Sequence, residues 1–279
     1  MPATGTHSDG VPTVAYQVRR AGGEVLAARD ADLPFYAAST VKLAVFAAVA
    51  RALDAGTLTL DRRVTSTDTF ASQVPGAPDY RIEPDDLDPG MPPPGTEVTF
   101  GEVVERMVVV SSNEATNMVI DAVGLDAANR VLADAGAAAS VVGRKYSDLA
   151  AEAAGATHRT TAGDLASLMS AVVTGALAGP EPTAWMLDLL GRQDDRQLTA
   201  GVPRDVPHGS KSGWVDGIRH DVAFVGEPGP GALVVAVCSR GYAPADAEET
   251  LRALGALAVD LTGACRAPAG PTPATSPRS

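Results

Sequence analysis

Lysine is nearly absent. Lys42, Lys145 and Lys211 are the only lysines in 279 residues, and arginine supplies the rest of the 22 basic side chains. Cysteine is as scarce: Cys238 and Cys265 form no CxxC pair and cannot build a disulfide framework. Cys238 lies in an apolar, strand-like run and reads as a small core residue. The four histidines, His7, His158, His208 and His220, show no HExxH or HxxxH spacing, so no metal site is expected. No apolar run reaches the roughly 18 residues of a membrane-spanning helix. The opening "MPATGTHSDGVP" has no basic stretch followed by an apolar one. A cytoplasmic protein is expected if this start is native, and a secreted one if a leader has been removed. No internal repeat is visible.

What is present is ordinary globular composition, 45% hydrophobic and 20% charged, in a chain able to bury one sizeable core. The net charge of −12 repels phosphate, so neither nucleic acid nor an anionic membrane is an expected partner. A monomer acting on a small molecule is expected instead, without a cofactor.

The runs "TVAYQVRR" and "GEVLAARD", separated by Ala21-Gly22-Gly23, read as a β-hairpin. Residues 39–55 read as a helix stopped by Gly56 and apolar on every face, which marks a central buried helix. Residues 71–95 are rich in Pro, Gly and Asp and read as a long irregular excursion of a length that is usually functional or disordered; only the fold implied by the resemblance given below makes it a border of the cleft, with Tyr80 or its neighbours as one wall. Helical patterns surround Ser111-Ser112-Asn113 and recur at 126–135, 161–175, 183–191 and 244–262. "HGSKSGWVDG", "IRHDVAFVG" and "ALVVAVCSRG" read as three strands. Strands at both ends with helices between place the termini in one sheet. The expected division is a disordered 1–10, one domain over 11–264 and a disordered tail at 265–279. Within the domain, 11–38 and 201–264 form an α/β lobe and 39–200 a helical lobe.

The chemistry begins at "FYAASTVKLAVFAAVA", an apolar run with Lys42 in its middle. Burial lowers a lysine's pKa and can make it a base near neutrality. Ser39, three residues earlier, shares its helix face. The pair suits an activated hydroxyl nucleophile; it suits equally a helix-capping serine and a lysine snorkelling to the surface. Ser111-Ser112-Asn113, where a helix restarts, and Lys211-Ser212-Gly213, in a strand before Trp214, decide between these. Two of the only three lysines fall in such patterns, in order.

Together the three motifs resemble the Ser-x-x-Lys, Ser-x-Asn, Lys-Ser/Thr-Gly set of class A β-lactamases and low-molecular-weight penicillin-binding proteins. The likeness runs from about residue 13 to 264. It implies an α+β fold: a five-stranded antiparallel sheet flanked by helices, an all-helical lobe, and an active site between them. It implies Ser39 as acylated nucleophile, Lys42 as its proton acceptor or relay, and Ser111 with Lys211 as the shuttle to the leaving nitrogen. Asn113 would bind a substrate amide, and Ser212 with Gly213 its carboxylate. The backbone N–H groups of Ser39 and Trp214 would form the oxyanion hole. Arg219 or Arg240 could add charge for the carboxylate, and each reads equally as a solvated strand-end arginine. The implied substrate is a β-lactam, or an amide or ester like D-alanyl-D-alanine; a non-hydrolytic penicillin-binding protein is the other reading. No GxSxG occurs, which disfavours an α/β-hydrolase.

The pattern breaks in two places. Ser112 stands where the lactamases usually carry Asp. In "GRKYSDLAAEAAGATHRTT" the Glu-x-x-Leu-Asn string, whose Glu activates the deacylating water, is missing. Asp148 and Glu152 are the nearby carboxylates; each reads first as a surface or loop-structural acid and, failing that, as the replacement base.

Overall fold

The computed structural model describes residues 8–262. Of the expected disordered 1–10, residues 8–10 are described, with the Val11 N–H donating to Asp9 Oδ1 at 3.0 Å, whereas 1–7 and 265–279, with His7 and Cys265, lie outside the described residues. Five strands, β1 (Thr13–Arg20), β2 (Val25–Arg29), β3 (His208–Val215), β4 (Ile218–Val225) and β5 (Leu233–Arg240), form one antiparallel sheet in the order β2-β1-β5-β4-β3. The hairpin and the three late strands stand where the sequence places them. Strand β5 is apolar from Leu233 to Cys238 because both its faces are covered. Val234, Ala236 and Cys238 join the main core, whereas Leu233, Val235 and Val237 pack with the closing helix at Pro244–Thr262. Alternation along a strand sends successive side chains to opposite faces.

The remaining helices are α1 (Lys42–Asp54), α2 (Phe100–Val109), α3 (Asn113–Val123), α4 (Leu125–Asp134), α5 (Leu149–Ala153), α6 (Ala162–Val173) and α7 (Pro180–Gly191), with α8 the closing helix. Every residue of α1 from Lys42 to Ala50 is buried. α1 packs against α2, α3, α4, α6 and α7, as a helix without a polar face must. α6 lies on β1, β4 and β5, so the sheet carries a helix that the sequence division assigns to the helical lobe.

Residues 71–95 are largely irregular but pinned. Thr69–Phe70 pairs with Tyr80–Arg81, and Pro84–Asp86 makes a short 3₁₀ turn. Asp88 binds the Arg106 guanidinium through both oxygens, and its N–H donates to Glu114 Oε1 at 2.7 Å. Arg106 and Glu114 flank the second motif, so these bonds fasten the excursion to the site.

Candidate active site

Ser39 lies in a 3₁₀ turn, Ala38–Val41, and the α-helix starts only at Lys42. In a 3₁₀ turn residues i and i+3 eclipse, so this departure from the expected helix start brings Ser39 and Lys42 closer to one line. Two bonds hold the turn: Thr40 Oγ1 donates to Ala37 O at 2.6 Å, and the Tyr146 hydroxyl donates to Ala38 O at 3.0 Å. Ala38 has φ +48°, Ser111 +63° and Ser147 +61°, and all three line the same cleft. Left-handed non-glycine residues are strained and persist only where their surroundings fix them.

Lys42 is completely buried. Its Nζ donates to Ser111 O at 2.6 Å and Asn113 Oδ1 at 2.8 Å, lies 3.3 Å from Ser111 Oγ, and stands 4.4 Å from the centre of the Tyr146 ring. Burial, then the charge of Lys211, drives its pKa well below the ordinary value. A neutral amine has two N–H donors, matched here by two close oxygens, and one lone pair left for a hydroxyl proton.

Lys211, on β3, donates to Ser111 Oγ at 3.1 Å and Ser212 O at 2.8 Å. Burial lowers its pKa to about 8, against the opposing pull of Asp221 and Asp195. One hydroxyl thus sits between two buried lysines. β3 reaches this position because residue 213 is glycine: a Cβ there would stand 2.7 Å from the backbone nitrogens of both Ser39 and Thr40. That close approach is the physical content of the third motif.

The three motifs therefore meet at one cleft of about 780 Å³, lined by Ser39, Ser111, Ser112, Asn113 and Trp214 among others. Trp214 is 61% exposed at its rim. A narrower recess of about 150 Å³ continues from Ser39 past Ser212 to Gln193, Asp194 and Asp195. Ser212 is gripped by Gln193, which accepts from its N–H at 3.2 Å and donates to its Oγ at 3.4 Å. Ser112 caps α3, accepting from the Ala115 N–H at 3.1 Å, and donates to Glu114 Oε2 at 3.0 Å.

Other expected residues are placed differently. Arg219 binds Asp195 at 2.8 Å and Glu248 at 3.0 Å; its charge is already met by two carboxylates. Arg240 lies over the Phe35 ring and donates to Pro34 O, outside the cleft lining. Asp148 is not a candidate base. It is fully buried, caps α5 through the Ala151 N–H, and accepts from Ser72 Oγ and the Gln73 N–H at 2.8–3.0 Å. Glu152 does line the cleft, 3.0 Å from the Arg144 guanidinium. Tyr80 is not the cleft wall: its hydroxyl accepts from Asn117, and Asp85–Pro89 line the cleft instead.

Sequence reasoning missed Gln193 and Tyr146. Tyr146 comes from segment 143–160, and its phenol neighbours the Ser39 hydroxyl as well as Ala38 O. No local signal marks a tyrosine for that position; the only cue is the missing Glu-x-x-Leu-Asn string beside it.

The model of the beta-lactamase enzyme family matches residues 6–262. The chain belongs to that family. This beta-lactamase-family protein is 31% identical to a beta-lactamase from Sphaerobacter thermophilus, over 90% of this chain and 91% of that one, with a TM-score of 0.76. It is 26% identical to PBP-A, over 90% of both chains, with a TM-score of 0.73. A PBP-A variant solved as an acyl-enzyme complex with penicillin G is 25% identical over 90% of both chains, with a TM-score of 0.72. No curated protein matches the chain. Among the described residues no helix is long and apolar enough to cross a membrane, and no His, Cys, Asp and Glu cluster could hold a metal.

Proposed function

We propose that this protein is a serine acyl-enzyme former that accepts a β-lactam, or an amide or ester like D-alanyl-D-alanine, and is acylated faster than it deacylates. The observation carrying this reading is the Ser111 hydroxyl held between buried Lys211 and buried Lys42, with Lys42 one 3₁₀ turn after Ser39. Neutral Lys42 takes the proton as Ser39 Oγ attacks the substrate carbonyl carbon. The oxyanion is received by the N–H groups of Ser39 and Trp214, which is usually the largest electrostatic contribution to such a step. The C–N bond then breaks. Ser111 gives its proton to the leaving nitrogen and regains one from Lys42, which ends neutral. Lys211 keeps its charge and aims the Ser111 oxygen.

Hydrolysis of the resulting ester needs an activated water. With Asp148 enclosed and its oxygens occupied, that part of the machinery is weaker than the acylating part. The penicillin G acyl-enzyme of the PBP-A variant is a precedent for a persisting adduct on this scaffold. The presence of Glu152 in the cleft lining favours a second reading, a working β-lactamase with Glu152 as base. A chromogenic cephalosporin followed with burst resolution separates them. A stoichiometric burst on Ser39, abolished in Ser39→Ala, is expected. Sustained rapid turnover that Glu152→Gln stops would establish the second reading, and no adduct with any β-lactam or fluorophosphonate would overturn both.

A further inference from the structure

Tyr146 is buried, touches the nucleophile's turn, and has no part in the acylation steps above. Its backbone is fixed from α3: Asn117 donates to Tyr146 O at 2.9 Å and accepts from the Tyr146 N–H at 2.7 Å. Lys145 binds Asp121, one turn along the same helix, at 2.8 Å. The ring is stacked on His158 with centroids 4.9 Å apart, and the Lys42 amine nitrogen lies 4.4 Å from its centre. The hydroxyl ends at Ala38 O and beside the Ser39 hydroxyl. Burial, then neighbouring Tyr36, raises its pKa above the ordinary phenol value, so it stays protonated and cannot itself accept a proton from water.

We infer that Tyr146 sets the lifetime of the acyl-enzyme by filling the space against Ser39 in which a hydrolytic water would otherwise sit. The volume it occupies is bordered by Ala38 O, the Ser39 oxygen and Lys42 Nζ. Three polar partners are what a buried water requires, and a phenol ring is several times larger than the ~30 Å³ a water occupies. With the ring gone, a water beside Lys42 could give that amine a proton as its oxygen attacks the ester carbonyl. The C–Oγ bond would then break, and Ser39 Oγ would recover the proton. The inference rests on the acyl-enzyme reading of the site.

The test compares the parent with Tyr146→Ala, Tyr146→Val and Tyr146→Phe, each acylated with benzylpenicillin, freed of excess reagent and followed by intact mass. The acylated fraction counts correctly folded sites in every sample. Tyr146→Ala or Tyr146→Val should shed the adduct at least tenfold faster than the parent, whereas Tyr146→Phe, which keeps the ring, should hold it. Damage to the fold would slow acylation but would not speed release. Release no faster from an acylated Tyr146→Ala or Tyr146→Val protein overturns the inference, as does a parent that sheds its adduct within seconds. Failure of the parent to be acylated by any β-lactam or fluorophosphonate would instead overturn the acyl-enzyme reading itself.

Discussion

At the residue scale the account turns on two lysines with opposite duties. Lys42 must be neutral to accept a proton and Lys211 must be charged to orient Ser111. A guanidinium never deprotonates in the accessible range, so Lys42→Arg should be nearly inactive in acylation while Lys211→Arg retains more. Slowing of less than about tenfold, roughly 1.4 kcal/mol, in Lys42→Arg would remove it as acceptor. The pH profile carries the same assignment. Lys211, with its pKa lowered to about 8 by burial, loses its charge as pH rises through that value, so the acylation rate should fall on the alkaline side near pH 8. In Lys211→Arg that alkaline limb should move up or vanish; an unmoved limb would assign it to another group. Lys42, Ser111 and Lys211 were legible in the sequence because lysine is so scarce that its two motif occurrences stand out. Tyr146 was not, because a buried phenol is marked by its neighbours in space and not by spacing along the chain.

At the scale of elements, the turn that carries Ser39 is held from one side by β3 and from the other by segment 143–153. Gly213→Ala would place a methyl against the Ser39 and Thr40 nitrogens. The strand or the turn must then shift, and acylation should fall by at least about tenfold, since displacements near 1 Å can cost on the order of a hundredfold. A fluorophosphonate rate equal to the parent's would show that the contact is not needed. Asp148 has a different duty. Asp148→Ala strips acceptors from Ser72, Gln73 and Ala151 and should cost about 1–3 kcal/mol of stability in a denaturant titration. It should leave release of the adduct unaccelerated from whatever fraction is folded; slower hydrolysis in that variant would restore it as a base. The hairpin, the three late strands and the central helix were legible from alternation and from a run without a polar face. The turn at Ala38–Val41 was not, because contacts from Tyr146 and β3, distant in sequence, define it.

For the whole molecule, charge and topology act together on the substrate. The cleft lining includes Asp85, Asp86 and Asp216, and Asp88 and Glu152 face Arg106 and Arg144. With a net charge of −12, the field at the cleft favours cations. A penicillin with a free amine on its side chain should therefore acylate Ser39 faster than one with a side-chain carboxylate at low salt. The gap should narrow as ionic strength rises and the screening length shrinks to about 3 Å near 1 M; equal rates at low salt would contradict this. The topology that brings three motifs, spread over residues 39 to 213, to one cleft makes a single claim above all: Ser39 is acylated and the ester outlives its formation. Intact mass of the parent and of Ser39→Ala, sampled from seconds to an hour after a stoichiometric pulse of benzylpenicillin, tests that claim most directly. The account predicts one adduct per chain, mapped to Ser39, absent in Ser39→Ala and persisting for minutes. An adduct on another residue, or none at any time while the penicillin is left intact, would contradict it.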